Sequence, residues 1–118
     1  MPTFLLEKEF RFEASHSLPN HAGKCRRLHG HSWRVTVRMT FGFLHETGSS
    51  RGMAMDYGEL SALMKPLIEE LDHRHLNDIM PYPTSEYVAL WFLDKLPLSG
   101  TESVTVEETC TSRVTVRR

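Results

Sequence analysis

Residues 4–16 read Phe-Leu-Leu-Glu-Lys-Glu-Phe-Arg-Phe-Glu-Ala-Ser-His, and they alternate. Phe4, Leu6, Phe10, Phe12, Ala14 and His16 share one parity, while Leu5, Glu7, Glu9, Arg11 and Glu13 share the other. A period of two puts these sets on opposite faces of a β-strand, one dry and one wet, with Lys8 the exception on the dry side. Residues 29–41 repeat the pattern: Trp33, Val35, Val37, Met39 and Phe41 alternate with Ser32, Arg34, Thr36, Arg38 and Thr40. Between the two strands, residues 17–28 carry Pro19, Asn20 and Gly23. That connection is long for a hairpin turn and suits a functional loop.

Working outward, residues 44–52 form a second loop with Gly48, Ser49, Ser50 and Gly52. Asp56 reads as a helix N-cap with Glu59 three residues on. Tyr57, Leu60, Leu63, Met64, Leu67, Ile68 and Leu71 follow at three and four spacing, which predicts an amphipathic helix. Pro66 lies inside it and should kink or split it, because proline has no N–H to donate. Thr84 can cap a second helix carrying Val88, Leu90, Trp91, Phe92 and Leu96. Two strands over about 102–110 and 112–118 end the chain. The order β-β-α-α-β-β predicts an α+β fold, an antiparallel sheet with both helices on one face. The other face bears Glu7, Glu9, Arg11, Glu13, Arg34, Arg38, Arg113 and Arg117, charges that could pair across strands. Such a face is either simply wet, the plainer reading, or the wall of a water-filled lumen built by several copies.

At 118 residues the chain is one domain, 1–118, by the usual size of roughly 100–200 residues. Its 40% apolar and 25% charged residues argue for a packed core. Fourteen Lys plus Arg against fifteen Asp plus Glu give a net charge of −1, which offers nothing to a nucleic-acid backbone. No apolar run approaches a membrane span, and the N-terminus turns acidic too early for a signal peptide. With only Cys25 and Cys110, a disulfide framework is not expected, and a reducing, cytoplasmic setting is.

The seven histidines are the unusual figure. Parity puts His16 on the dry side of the first strand, and His29 and His31 on the dry side of the second. In an antiparallel hairpin the end of one strand lies beside the start of the other, so the three imidazoles converge. Three His with one open position is the pattern of a catalytic zinc. Zinc is preferred to iron because no carboxylate completes a facial triad, and to copper because no Cys–Met pair is present. Gly30, between two ligands, would let another group come close. Cys25 lies four residues before His29 among Lys24, Arg26 and Arg27, so it is either a reactive thiol, an inert one, or a fourth ligand. Asp72 and His73 either close the first helix or form a proton-transfer pair. Glu108 shares its parity with Val104 and Val106, which makes it either a frayed strand end or an anchor for a ligand with adjacent N–H donors. Thr84, Ser85 and Glu86 are well explained by capping.

These motifs, taken together, resemble the 6-pyruvoyl-tetrahydropterin synthase superfamily. They are Phe12-Glu13-Ala14-Ser15-His16, Cys25-Arg26-Arg27-Leu28-His29-Gly30-His31, Met55-Asp56-Tyr57, Leu71-Asp72-His73, Pro83-Thr84-Ser85-Glu86 and Glu108-Thr109-Cys110-Thr111, in family order along nearly the whole chain. The spacing from Cys25 to His29 looks like the bacterial 6-carboxy-tetrahydropterin synthase branch of queuosine biosynthesis. The resemblance implies the tunnelling fold, with sheets joined into a barrel around a polar lumen, and so turns the charged face into lumen wall. It implies a homohexamer of two trimers with active sites at subunit interfaces, and a small pterin substrate. By position, His16, His29 and His31 would hold Zn2+; Cys25 would be the general base, and His73 with Asp72 the other proton-transfer pair. Glu108 would anchor the pterin, with Thr84, Ser85 and Glu86 near the ring. The chain departs from the family where it is short before the third long strand, and where it ends in Ser112-Arg113-Val114. The implied reaction converts 7,8-dihydroneopterin triphosphate to 6-carboxy-5,6,7,8-tetrahydropterin, releasing acetaldehyde and triphosphate. The alternatives are the pyruvoyl-forming reaction, without side-chain cleavage, and a non-catalytic zinc-containing pterin binder.

Overall fold

A computed structural model describes residues 2–118. Strand β1 spans Phe4–His16 and β2 spans His29–Phe41. They pair antiparallel without a break, from Phe4 opposite Phe41 to His16 opposite His29. Helix α1 is Tyr57–Leu71 and α2 is Ser85–Lys95. Strands β4, Thr101–Thr109, and β5, Ser112–Arg117, close the chain. A short strand β3, Arg74–His75, pairs parallel with Ala14 and Ser15, so the sheet order is β3-β1-β2-β4-β5. The expectation of a purely antiparallel sheet is therefore corrected to a mixed one. Two residues are too short a run to show a period in the sequence.

The dry parity of every long strand faces the helices. Phe12, Trp33, Val35, Val37, Met39, Val104 and Val106 are buried against Leu60, Met64, Leu71, Val88, Ala89, Phe92 and Leu93. Each fully buried Val, Leu, Phe or Met contributes about 1.5–3 kcal/mol, which is what holds the helices to one face. Both caps form: Asp56 Oδ1 accepts from the Gly58 N–H at 2.8 Å, and Thr84 Oγ1 from the Tyr87 N–H at 3.2 Å. Pro66 does not split α1, which runs unbroken from 57 to 71. Pro66 and Ala62, four residues before it, are both exposed, so the carbonyl left without a donor can turn to water. The apolar stripe is narrower than its spacing suggests, since Tyr57, Leu63 and Leu90 lie exposed. The opposite face of the sheet carries the expected cross-strand charge pairs: Arg34 with Glu9 and Glu107, Arg38 with Glu7, Arg113 with Glu107, and Arg117 with Glu102.

Candidate metal centre

The β1–β2 register brings His16 directly opposite His29 and sets His31 opposite Ala14, next to His16 on the same face. One nitrogen from each of His16, His29 and His31 lies within 4.8 Å of the other two. Trp33 forms the floor, with its ring 5.0 Å from His16 and 5.4 Å from His31 between centroids. Trp33 stacks on Phe12 and donates its indole N–H to the Ala14 carbonyl at 3.1 Å, so the floor is locked into the strand pair.

Two backbone carbonyls orient the imidazoles. His16 Nδ1 is 2.8 Å from the Pro83 carbonyl, and His29 Nδ1 is 2.7 Å from the Arg27 carbonyl. A carbonyl can only accept, so each Nδ1 carries the proton and each Nε2 presents a lone pair to the site. Among the described residues, the buried Nε2 atoms of His16 and His31 have no hydrogen-bond partner. Buried polar atoms are rarely left so. Burial pushes the pKa values of His16 and His31 below the ordinary 6.5, against the opposing pull of the Pro83 hydrogen bond on His16 and of Glu108 on both, and so favours the neutral ring a metal requires. The donor set and its orphaned nitrogens fit a metal ion.

Glu108 lies on the face of β4 shared with Val104 and Val106, as its parity predicts, and its side chain reaches the histidines. Its Oε2 is 3.4 Å from His16 Nε2 and 3.1 Å from His31 Nε2, while Oε1 accepts from Ser85 Oγ at 3.2 Å. A carboxylate therefore does stand at the cluster, so its absence no longer serves as a ground for preferring zinc to iron. The sequence could not show it, because residue 108 meets residues 16 and 31 only after the sheet has formed. Thr84 is occupied by its capping bond, and Glu86 is exposed on the first turn of α2.

Cys25 sits half-buried in a 3₁₀ turn, Lys24–Arg26, and lines a cleft of about 540 Å³ with His29, His31, Glu108 and Thr109. Asp72 and His73 lie elsewhere. Asp72 Oδ1 accepts from the Glu13 N–H at 2.9 Å, and Oδ2 is 3.0 Å from His73 Nδ1. The bond from the Glu13 N–H, and then the His73 contact, hold the Asp72 carboxyl below its usual range. His73 takes the left-handed conformation, φ 58°, and its N–H donates to the Glu13 carbonyl. It opens onto a separate cleft with Glu13, Ser15 and Ser32, on the polar side of the sheet. Among the described residues, only Gly30 and His31 border both clefts. One chain thus does not bring the Asp72–His73 pair to Cys25. Gly30 alternates with its neighbours onto that polar side, and a Cβ there would meet nothing nearer than the Ala14 carbonyl at 3.6 Å. Close approach to the cluster past Gly30 is not what the fold uses it for.

Sequence reading missed the clasp behind His16. Asn77 accepts from the Ser17 N–H at 2.9 Å and donates to the Ser17 carbonyl at 2.8 Å, while Ser15 Oγ and His75 Nδ1 are 3.0 Å apart. The residues on both sides of His16 are thereby tied to the segment after α1. The Asp-His-Arg-His-Leu-Asn run was visible, but nothing in it indicates a partner sixty residues upstream.

This fold and cluster define a small α+β protein, a mixed sheet with two helices on one face and three histidines able to coordinate a metal ion at one end. The model of the family described as 6-pyruvoyl tetrahydropterin synthase matches residues 5–118, and the chain belongs to that family. Over 115 residues it is 50% identical to the 6-carboxy-5,6,7,8-tetrahydropterin synthase of Synechocystis sp., covering 92% of this chain and 89% of that one. A second relative of that name, from Haemophilus influenzae, is 36% identical over 64% of this chain and 53% of its own length. The solved structure of Caenorhabditis elegans 6-pyruvoyl tetrahydropterin synthase superposes with a TM-score of 0.84 at 26% identity, covering 100% of this chain and 97% of that one.

Proposed function

We propose that this chain is a zinc-dependent lyase converting 7,8-dihydroneopterin triphosphate and one water to 6-carboxy-5,6,7,8-tetrahydropterin, with release of acetaldehyde and triphosphate. The observation that carries the reading is the His16, His29 and His31 cluster with its unpartnered nitrogens, in a chain half identical to a protein of that name. A second reading keeps the site and ends at the pyruvoyl product, by triphosphate elimination without side-chain cleavage. It is favoured by the family description and by the full-length fold match, both of which carry the pyruvoyl name. The geometry supports either; the family description and the fold match favour the pyruvoyl reading, and the half-identical relative speaks for the carboxy product.

When bound, zinc supplies a Lewis acid that polarises a substrate oxygen and eases loss of its proton. The protein's residues do the rest. Cys25, in the cleft beside His29 and His31, takes a proton from the substrate side chain. Glu108, steadied by Ser85, accepts the N–H donors of the pterin's amino-pyrimidine edge, with Thr84 and Glu86 near the ring. Asp72 orients His73 to move the second proton, and because the pair opens on the polar side it serves a site completed by a neighbouring copy. That requires more than one copy, which we take to be a homohexamer; the single chain is extended, with a radius of gyration of 16.0 Å against about 13–14 Å for a compact chain of this length. Charged clefts on the uncovered face suit a lumen wall. We place the protein, as one domain, in the cytoplasm and in 7-deazapurine (queuosine) synthesis; among the described residues, no helix is long and apolar enough to cross a membrane.

The test is a mass-spectrometric product assay on zinc-loaded protein, with acetaldehyde trapped in parallel. A carboxy-pterin with stoichiometric acetaldehyde is expected. A pyruvoyl product without acetaldehyde selects the second reading, and no turnover with pterin still bound would leave a non-catalytic binder.

A further inference from the structure

The contact between Glu108 and the histidines is not an ordinary hydrogen bond. His16 Nδ1 gives its proton to the Pro83 carbonyl, so His16 Nε2 faces Glu108 Oε2 at 3.4 Å as one lone pair facing another. His31 Nε2 lies 3.1 Å from the same oxygen and still lacks hydrogen-bond geometry. Two acceptors brought together this way repel unless a cation lies between them. The spacing suits one: tetrahedral zinc with bonds of 2.0–2.1 Å separates neighbouring ligand atoms by about 3.3 Å. Ser85, on the first turn of α2, holds the other carboxylate oxygen and fixes which one is aimed at the cluster. The same segment's Pro83 carbonyl orients His16, so one turn of chain positions two donors.

We propose that Glu108 is itself a ligand of the metal in the substrate-free protein, entering from the His16–His31 side, and that it leaves the metal for the pterin ring when substrate binds. The metal is then closed at rest and open only in the complex. This rests on the three-His metal reading of the preceding section and adds a ligand that the reading does not contain.

Cobalt(II) substitution tests it without turnover. Wild-type protein, Glu108→Gln and Ser85→Ala are loaded with Co2+, and their visible absorption and metal dissociation constants are compared, with far-UV circular dichroism confirming the fold. Removing a partner outside the metal's own ligands typically costs 10–100-fold in affinity. Glu108→Gln is therefore expected to weaken Co2+ binding at least tenfold and to shift the absorption bands, with Ser85→Ala weaker by less. Adding a plain pterin that lacks the phosphorylated side chain is expected to move the wild-type spectrum toward that of Glu108→Gln. Unchanged bands and affinity in Glu108→Gln would overturn the proposal and leave the three-His site standing. Failure of the wild type to bind Co2+ would overturn both.

Discussion

Cys25 and His29 border one cleft yet should fail in different ways when removed. Cys25→Ala deletes the proposed proton acceptor and leaves the nitrogen cluster whole. General acid–base catalysis is worth about 10²–10⁴-fold, so kcat should fall by that order while one metal per chain remains. His29→Ala removes a proposed ligand whose ring is already fixed by the Arg27 carbonyl, and stoichiometric metal should be lost on dialysis. Elemental analysis alongside single-turnover rates separates the two. A fully active Cys25→Ala, or a His29→Ala that keeps its metal, would remove the corresponding assignment. At this scale the histidine cluster was readable because strand parity fixes which side chains share a face. The Pro83 and Arg27 carbonyls were not, since every residue has one and the sequence does not mark which will be used.

The start of α2 is where an element does the work of positioning. Thr84 caps it, Pro83 orients His16 through its carbonyl, and Ser85 holds Glu108. Loss of an N-cap side chain costs about 0.5–2 kcal/mol. Thr84→Ala should therefore lower the urea midpoint by a corresponding amount, and Thr84→Ser should restore most of it. If Thr84→Ala leaves the midpoint unchanged, the capping bond contributes nothing. Both caps were legible, because Asp and Thr ahead of an apolar period satisfy the first N–H groups of a helix. Strand β3 was not: it follows a left-handed His73 and exists only because Glu13, Ala14 and Ser15 offer it a partner.

Across the whole sheet, Glu107 ties three strands together on the polar face, pairing with Arg34 of β2 and Arg113 of β5. The Arg113 bond comes first and Arg34 second in holding its carboxyl below the ordinary 4.5. A carboxylate depressed in the folded state adds stability that is present above its unfolded pKa. That contribution is lost as pH falls through the folded one. Thermal unfolding of the wild type should therefore show a falling melting temperature below about pH 4.5. In Glu107→Gln that acid limb should be shallower and the neutral-pH melting temperature lower. Equal acid limbs in the two proteins would mean that the ion pairs are fully screened by water.

The sequence by itself determined the two long strands, their faces, both helix starts, the convergence of His16, His29 and His31, and the dry-side placement of Glu108. All follow from periodicity and local hydrogen-bond chemistry, which act over a few residues. Only the tertiary structure decided that Glu108 stands among the histidines, that Asn77 clasps the strand end bearing His16, and that Asp72 and His73 open on the other side of the sheet. Those contacts join residues about sixty to ninety positions apart; that of Glu108 is set by the pairing of β4 with β2, and the others by how the segment after α1 settles against the sheet edge. Packing of that kind depends on shape over the whole core, which no local pattern records.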